Sequence, residues 1–176
     1  RRLVDSAGNE VCPGVVVELL DHFGNSVSSA EEAGRVAALA REALTWRWRD
    51  SADARLRPVT PADVLIVAPY NAQVELIQQE LEWVGLGDFR VGTVDKFQGQ
   101  EAPIVLVSMS ASSHDDLPRG MEFLLSPNRT NVAVSRAQWR ATLVHASRLT
   151  DYLPNRPEQL HELGRFMRLT LPKENS

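Results

Sequence analysis

The chain has 176 residues, 43% of them hydrophobic and 24% charged, which gives one globular domain enough apolar material for a core and leaves no charge bias of the disordered or coiled-coil kind. Its formal net charge is −4. That argues against holding nucleic acid by bulk attraction, but not against touching a few phosphates along a narrow track, because affinity follows local contacts. A single cysteine, Cys12, excludes an internal disulfide, no apolar run is long enough to span a bilayer, and no basic-then-apolar leader opens the chain; the expectation is a cytoplasmic protein with no membrane partner.

In chain order, residues 1–9 are polar and without pattern, so the ordered core is expected over about 12–168. The run 15–20 (VVVELL) is continuously apolar apart from Glu18, as are 64–68 (VLIVA), 104–108 (IVLVS) and 141–145 (ATLVH), with a weaker run at 89–94 (FRVGTV). Continuous rather than alternating apolar runs suit strands buried on both faces of a parallel sheet. Between them, Ser29-Ala-Glu-Glu32 reads as a capping box opening a helix with Val36, Ala37, Ala40 and Leu44 on one side, predicted to run to about Trp48. A second helix begins near Asn71, carries Val74, Ile77, Leu81 and Val84 in a stripe, and stops at the glycines 85 and 87. Ser126-Pro127 announces a third and residues 158–167 a fourth. Strands alternating with helices predict an α/β layered domain with a mostly parallel sheet.

Several chemistries are excluded. The nearest approach to a phosphate-cradling G-x-x-x-x-G-K-[ST] loop is Gly87-Asp-Phe-Arg-Val-Gly92-Thr93, which lacks the lysine. None of His22, His114, His145 and His161 pairs with another at metal-ligand spacing. Asp63 and the Asp95-Lys96 pair do not form the carboxylate group that a metal-dependent nuclease requires.

Three segments carry more polar detail than packing requires. Ala68-Pro-Tyr-Asn-Ala-Gln73 joins a buried strand to a helix, so Gln73 is expected in the first helical turn facing the carboxyl rim of the sheet, where ligands collect in parallel α/β folds; the bland alternative is a cap with Gln73 solvated. Gly92-Thr-Val-Asp-Lys-Phe-Gln-Gly-Gln-Glu101 is a polar loop between two strands. Its hydroxyl, carboxylate and amide groups could bond sugar and phosphate without reading bases, Gly99 permits close backbone approach, and Phe97 pins the loop; an ordinary polar loop is the alternative. In Ser126-Pro-Asn-Arg-Thr-Asn-Val-Ala-Val-Ser-Arg-Ala137, helical spacing puts Arg129, Val132, Ala133 and Arg136 on one face, so two guanidinium groups point one way. Arginine's planar fork suits phosphate; two solvated arginines are the alternative.

Taken in this order, the segments Pro69-Tyr-x-x-Gln73, Thr93–Glu101 and Asn131-Val-Ala-Val-Ser-Arg-Ala137 resemble motifs IV, V and VI of superfamily 1B helicases, most closely the group of the nonsense-mediated-decay helicase and the replication helicase-nuclease. The resemblance runs from about residue 28 to 151. It implies a three-layer RecA-like domain of the P-loop NTPase type that lacks its own P-loop: the second motor domain of a larger protein, binding ATP with Mg²⁺ in a cleft whose glycine loop and metal ligands belong to an N-terminal RecA-like domain. It implies Arg136 as the arginine finger, Arg129 as a support for the phosphates, Gln73, Gly99 and Glu101 near the nucleotide, and Thr93, Asp95 and Gln98 near single-stranded DNA or RNA. The chain departs from the pattern in lacking a preceding Tyr-Arg-Met-His segment, in Thr130 where leucine is common, in Ser135 for threonine and in Asn128 where a first arginine is common. Residues 118–125 resemble members with a fused RecB-like nuclease. A non-catalytic module derived from a helicase, and an unrelated small-ligand domain, are the competing readings.

Overall fold

The computed structural model describes residues 1–53, 55–113, 115 and 133–151. The strands are β1 (Arg2–Val4), β2 (Gly14–Leu20), β3 (Arg47–Arg49), β4 (Arg57–Pro58), β5 (Val64–Val67), β6 (Arg90–Gly92), β7 (Ala102–Ser108) and β8 (Ala137–Ala146); the helices are α1 (Ala30–Ala43) and α2 (Asn71–Trp83). Five strands form one sheet in the order β2-β8-β7-β5-β6, with every neighbouring pair parallel. All five apolar runs are therefore strands of a parallel sheet. Their burial follows position: central β5 and β7 are buried at every residue, whereas edge strand β2 is half-buried.

Strand alternation splits the core in two. Val64, Ile66, Ile104, Leu106 and Val144 face α1 and α2, joined there by Val36, Ala40, Ile77 and Leu81. Leu65, Val67, Val105, Val107 and Leu143 face the other way, against Phe97, Ala133 and Leu149. Both described helices thus lie on one face, and on the other the described cover is short turns, including the 3₁₀ turns Val94–Phe97 and Ser147–Thr150. Of the third predicted helix only the end is described: residues 133–135 are helical, Arg136 is a turn and Ala137 begins β8, so the helix stops short of Arg136; the fourth falls outside the described residues.

Two expectations are corrected. α1 stops at Ala43 rather than near Trp48, and Arg47–Arg49 pairs antiparallel with both β1 and β4 in a separate three-stranded sheet. The cause is the spacing of the tryptophans: Trp46 and Trp48 are both buried, 9% and 1% exposed, and residues two apart share a face in an extended chain but not on a helix. Residues 1–9, expected to be patternless, supply β1, whose Leu3 is fully buried. Trp48 packs edge-on against Trp139 at a centroid distance of 6.1 Å, and the Trp139 Nε1–H donates to the Val11 carbonyl at 2.7 Å. These contacts fasten the small sheet to the start of β8.

The candidate nucleotide-facing edge

The sheet has two edges, and the polar segments divide between them. At the carboxyl edge, Ser29 caps α1 by accepting from the Glu32 N–H at 3.2 Å. The reciprocal half of the predicted capping box is not made by Glu32. The Ser29 N–H donates to Gln73 Oε1 at 2.7 Å, while Gln73 Nε2 donates to the Ser29 carbonyl at 3.1 Å and to Ser108 Oγ at 2.9 Å. Gln73 is fully buried. Gln73 lies in the first turn of α2 at the carboxyl rim, as expected, but buried rather than open to a ligand: its carboxamide is spent tying α2 to α1 and β7.

Glu32, also fully buried, turns inward. Its Oε2 accepts from Ser108 Oγ–H at 2.6 Å and from the N–H groups of Met109 and Ser110 at 2.8 and 2.9 Å, and its Oε1 lies 3.0 Å from His22 Nε2. His22 Nδ1 is 2.7 Å from Ser112 Oγ. This cluster resolves how Ser110 can sit at φ 70: its N–H is committed to the carboxylate. Nothing local announces the network beyond Glu32 standing where a capping residue should.

At the amino edge, β7 and β8 start side by side, with Ala102 opposite Ala137. Glu101 and Arg136 are the residues immediately before those partners, and the Ala102 N–H donates to the Arg136 carbonyl at 3.0 Å. The structure thus brings together two site residues that lie 35 positions apart in sequence. Glu101 is exposed, with Gln138 Nε2 3.5 Å from its Oε2. Arg136 is half-buried, and its Nε is buried with no partner among the described residues. A buried, unpaired guanidinium donor is costly unless an anion completes it. Gly99, at φ 78, adopts the left-handed backbone that glycine accommodates without strain and turns the chain into Glu101.

The remaining residues of the polar loop are spread out. Thr93, half-buried, follows the carboxyl end of β6 and accepts from the Lys96 N–H at 3.1 Å through its carbonyl. The Val94–Phe97 turn then carries the chain back across the sheet, with Phe97 buried at 3% exposure as the pinning role expects. Asp95 and Gln98 are exposed on this crossing. Lys96 Nζ is committed to the Val91 carbonyl at 2.9 Å. Arg129 lies outside the described residues. Among the described residues no group of three His, Cys, Asp or Glu side chains could hold a metal ion, and no helix is long and apolar enough to cross a membrane.

Comparison with known proteins bears on what this edge belongs to. The model of an AAA domain family, AAA_12, matches residues 17–148, three quarters of the chain. The human 3'-5' exoribonuclease HELZ2 is 32% identical over 143 residues, 75% of this chain and 5% of that protein. The human DNA replication ATP-dependent helicase/nuclease DNA2 is 39% identical over 85 residues, 48% of this chain and 8% of that protein. The human RNA helicase Mov10l1 is 38% identical over 81 residues, 44% of this chain and 7% of that protein. The chain therefore spans less than a tenth of the length of each of these relatives. With the matched residues running from β2 through β8 and taking in both the Glu101 loop and Arg136, the chain belongs to the AAA_12 family of AAA domains.

Proposed function

We propose that this domain is the second motor domain of an ATP-dependent DNA or RNA helicase or translocase, and that Arg136 is its arginine finger. The observation that carries the reading is the Arg136 guanidinium: half-buried, with an Nε that has no partner among the described residues, at the edge it shares with Glu101. Such a group suits an ATP phosphate, because the fork stays charged and partial burial strengthens its attraction for charge developing on the transferred phosphoryl group.

In this reading a first RecA-like domain supplies the glycine loop and the Mg²⁺ ligands, and ATP lies between the two domains. Bound there, ATP provides the phosphoryl group whose transfer to water drives motion. Arg136 binds and orients its terminal phosphates. Arg129, two turns away on the same predicted helix, adds a second cation. Glu101, held beside Arg136 by the β7–β8 register, accepts from the nucleotide ribose, and Gly99 brings the loop backbone close to the nucleotide. Thr93, Asp95 and Gln98, on the crossing loop, contact the sugar-phosphate backbone of a single strand. The similarity of the chain to proteins named as DNA and RNA helicases supports a nucleic-acid track without choosing the nucleic acid.

The test is steady-state ATP hydrolysis by the full-length protein, with and without single-stranded DNA or RNA, beside its Arg136→Ala variant and the isolated domain. Nucleic-acid-stimulated turnover that collapses in the variant and is absent from the isolated domain is the expected result. A variant that turns over ATP at the parent rate removes Arg136 from the reaction, and a parent inert under every condition makes the domain a non-catalytic binding module.

A further inference from the structure

The small antiparallel sheet concentrates arginine in a way that folding does not require. Six of the chain's residues on it or in its turns are Arg1, Arg2, Arg47, Arg49, Arg55 and Arg57. In the β1–β3 register Arg2 stands directly opposite Arg49, with Leu3 opposite Trp48 between Arg2 and Val4. Leu3 and Trp48 point into the core, so alternation turns Arg2, Arg47 and Arg49 outward together. Like charges directly opposite on one face destabilise a strand pair.

Local carboxylates do not neutralise this face. Arg1 is bound to Asp50 at 3.0 Å and Arg57 to Asp63 at 2.7 Å. Arg2 is only loosely paired with Glu10, at 3.4 Å. Arg47 donates to a carbonyl, that of Leu56, at 3.2 Å. Arg49 and Arg55 have no ion pair or side-chain hydrogen bond among the described residues. Arg2, Arg47 and Arg55 line an open cleft of about 580 Å³ with the turn 5–8. The one carboxylate there, Asp5, is spent on its own turn: Oδ1 accepts from the N–H groups of Ala7 and Asn9 at 2.9 and 2.8 Å, and Oδ2 from Asn9 Nδ2 at 3.2 Å.

We infer that this cleft is a second nucleic-acid contact, taking the phosphodiester backbone without regard to sequence, separate from the loop around Thr93 and from the ATP-facing edge. The inference rests on the nucleic-acid reading above for its choice of polyanion. Three guanidinium groups lining a single cleft, Arg2 and Arg47 on strands and Arg55 in the connection between β3 and β4, match successive backbone phosphates better than a point anion. Trp139, the third residue of β8, anchors this sheet, so the cleft stands beside the edge that carries Glu101 and Arg136, where a strand leaving the motor could be gripped.

The experiment uses the full-length protein, its R2Q/R47Q/R55Q variant and the charge-retaining R2K/R47K/R55K variant. Labelled mixed-sequence single strands and duplexes, as DNA and as RNA, are titrated across a range of salt, and stimulated ATP hydrolysis is followed in parallel. Losing three phosphate contacts should flatten the slope of log affinity against log salt by about 2 on a single strand or about 2.7 on a duplex, with the lysine variant keeping most of the parent slope. The substrate that shows the change identifies the strand form held. Unchanged slopes in the glutamine variant overturn the inference even where hydrolysis is stimulated, and leave an acidic protein segment as the occupant. A flattened slope in a protein without stimulated hydrolysis keeps the cleft and removes the motor reading. A parent that binds no nucleic acid overturns both.

Discussion

The two edges of the parallel sheet carry polar clusters of opposite character. At the carboxyl edge, Gln73, Glu32, Ser108 and His22 are buried and bonded to one another or to backbone. At the amino edge, Glu101 is exposed and Arg136 keeps a buried Nε without a partner among the described residues. Most buried polar groups in native structures are satisfied, so the bonded set of Glu32, Gln73, Ser108 and His22 reads as architecture, although the neutral Ser110 Oγ beside it has no partner among the described residues, and the cationic Arg136 Nε reads as a donor suited to an anion. The difference warns against locating a site by fold rule alone. Ligands in parallel α/β folds usually gather at carboxyl strand ends, yet here that edge is closed by its own side chains, and the open donor is on the opposite side.

The contrast breaks most visibly if Arg136 is removed. An arginine finger is worth about 10³–10⁵ in turnover, so Arg136→Ala in the full-length protein should cut ATP hydrolysis by that order. The urea midpoint of the domain should barely move, because the side chain bonds to nothing in the described structure that the variant would leave orphaned. A large loss of stability in the variant would show instead that Arg136 belongs to the architecture.

Glu32 sharpens the other side. Replacing it by alanine strips the partner from Ser108, from the N–H groups of Met109 and Ser110, and from His22. Breaking a buried charged partner costs about 3–5 kcal/mol, and urea denaturation of the domain should register a loss of that size. A cost under about 1 kcal/mol would mean that water reaches the cluster and that the carboxyl edge is less closed than the geometry implies. Gln73→Ala should cost less, about 1–3 kcal/mol, since it orphans only the Ser29 N–H, while the Ser29 carbonyl keeps the Ala33 N–H and Ser108 Oγ keeps Glu32. If Gln73→Ala instead left stability alone and raised the KM for ATP in the full-length protein, the carboxamide would be a ligand-binding group after all.

How far the residues announced these features depends on pattern length. Four of the five parallel strands showed as apolar runs of four residues or more, and the three-residue β6 only as the weaker run 89–94; burial on both faces leaves the central strands no polar alternation to confuse the period. The small sheet did not show. Its strands are three residues or fewer and dominated by arginine, and the local signal for β3 was only the two-residue spacing of Trp46 and Trp48. The amino edge was half legible. Glu101 and Arg136 stand out by chemistry and by resemblance to helicase motifs, but their neighbourhood is created by the β7–β8 register, a long-range fact that no local window contains. Gln73 was placed in the correct turn of the correct helix and assigned the wrong outlook, because whether a first-turn glutamine meets solvent or a second helix is settled by the docking of α1 against α2.

The smallest expected effect concerns a pair outside both edges. Asp63 precedes β5 and is 6% exposed; burial works against its charge, but the Arg57 guanidinium and the Thr60 N–H and hydroxyl outweigh it and hold the carboxyl below its ordinary value of 3.8. Arg57 donates to both carboxylate oxygens at 2.7 Å. A carboxyl depressed in the folded state stabilises the fold fully above its unfolded value, and that contribution fades as pH falls below about 3.8 and through the lower folded value. Because Arg57 is largely exposed, its pair should be worth a few tenths to about 1 kcal/mol. Arg57→Gln should therefore lower the urea midpoint slightly from pH 5 to 7 and converge on the parent curve in strong acid, where Asp63 is protonated in both. Curves that stay parallel down to the acid limit would assign the loss to packing of the arginine stem rather than to its charge, whereas convergence separates this ordinary ion pair from Arg136, whose Nε has no partner among the described residues.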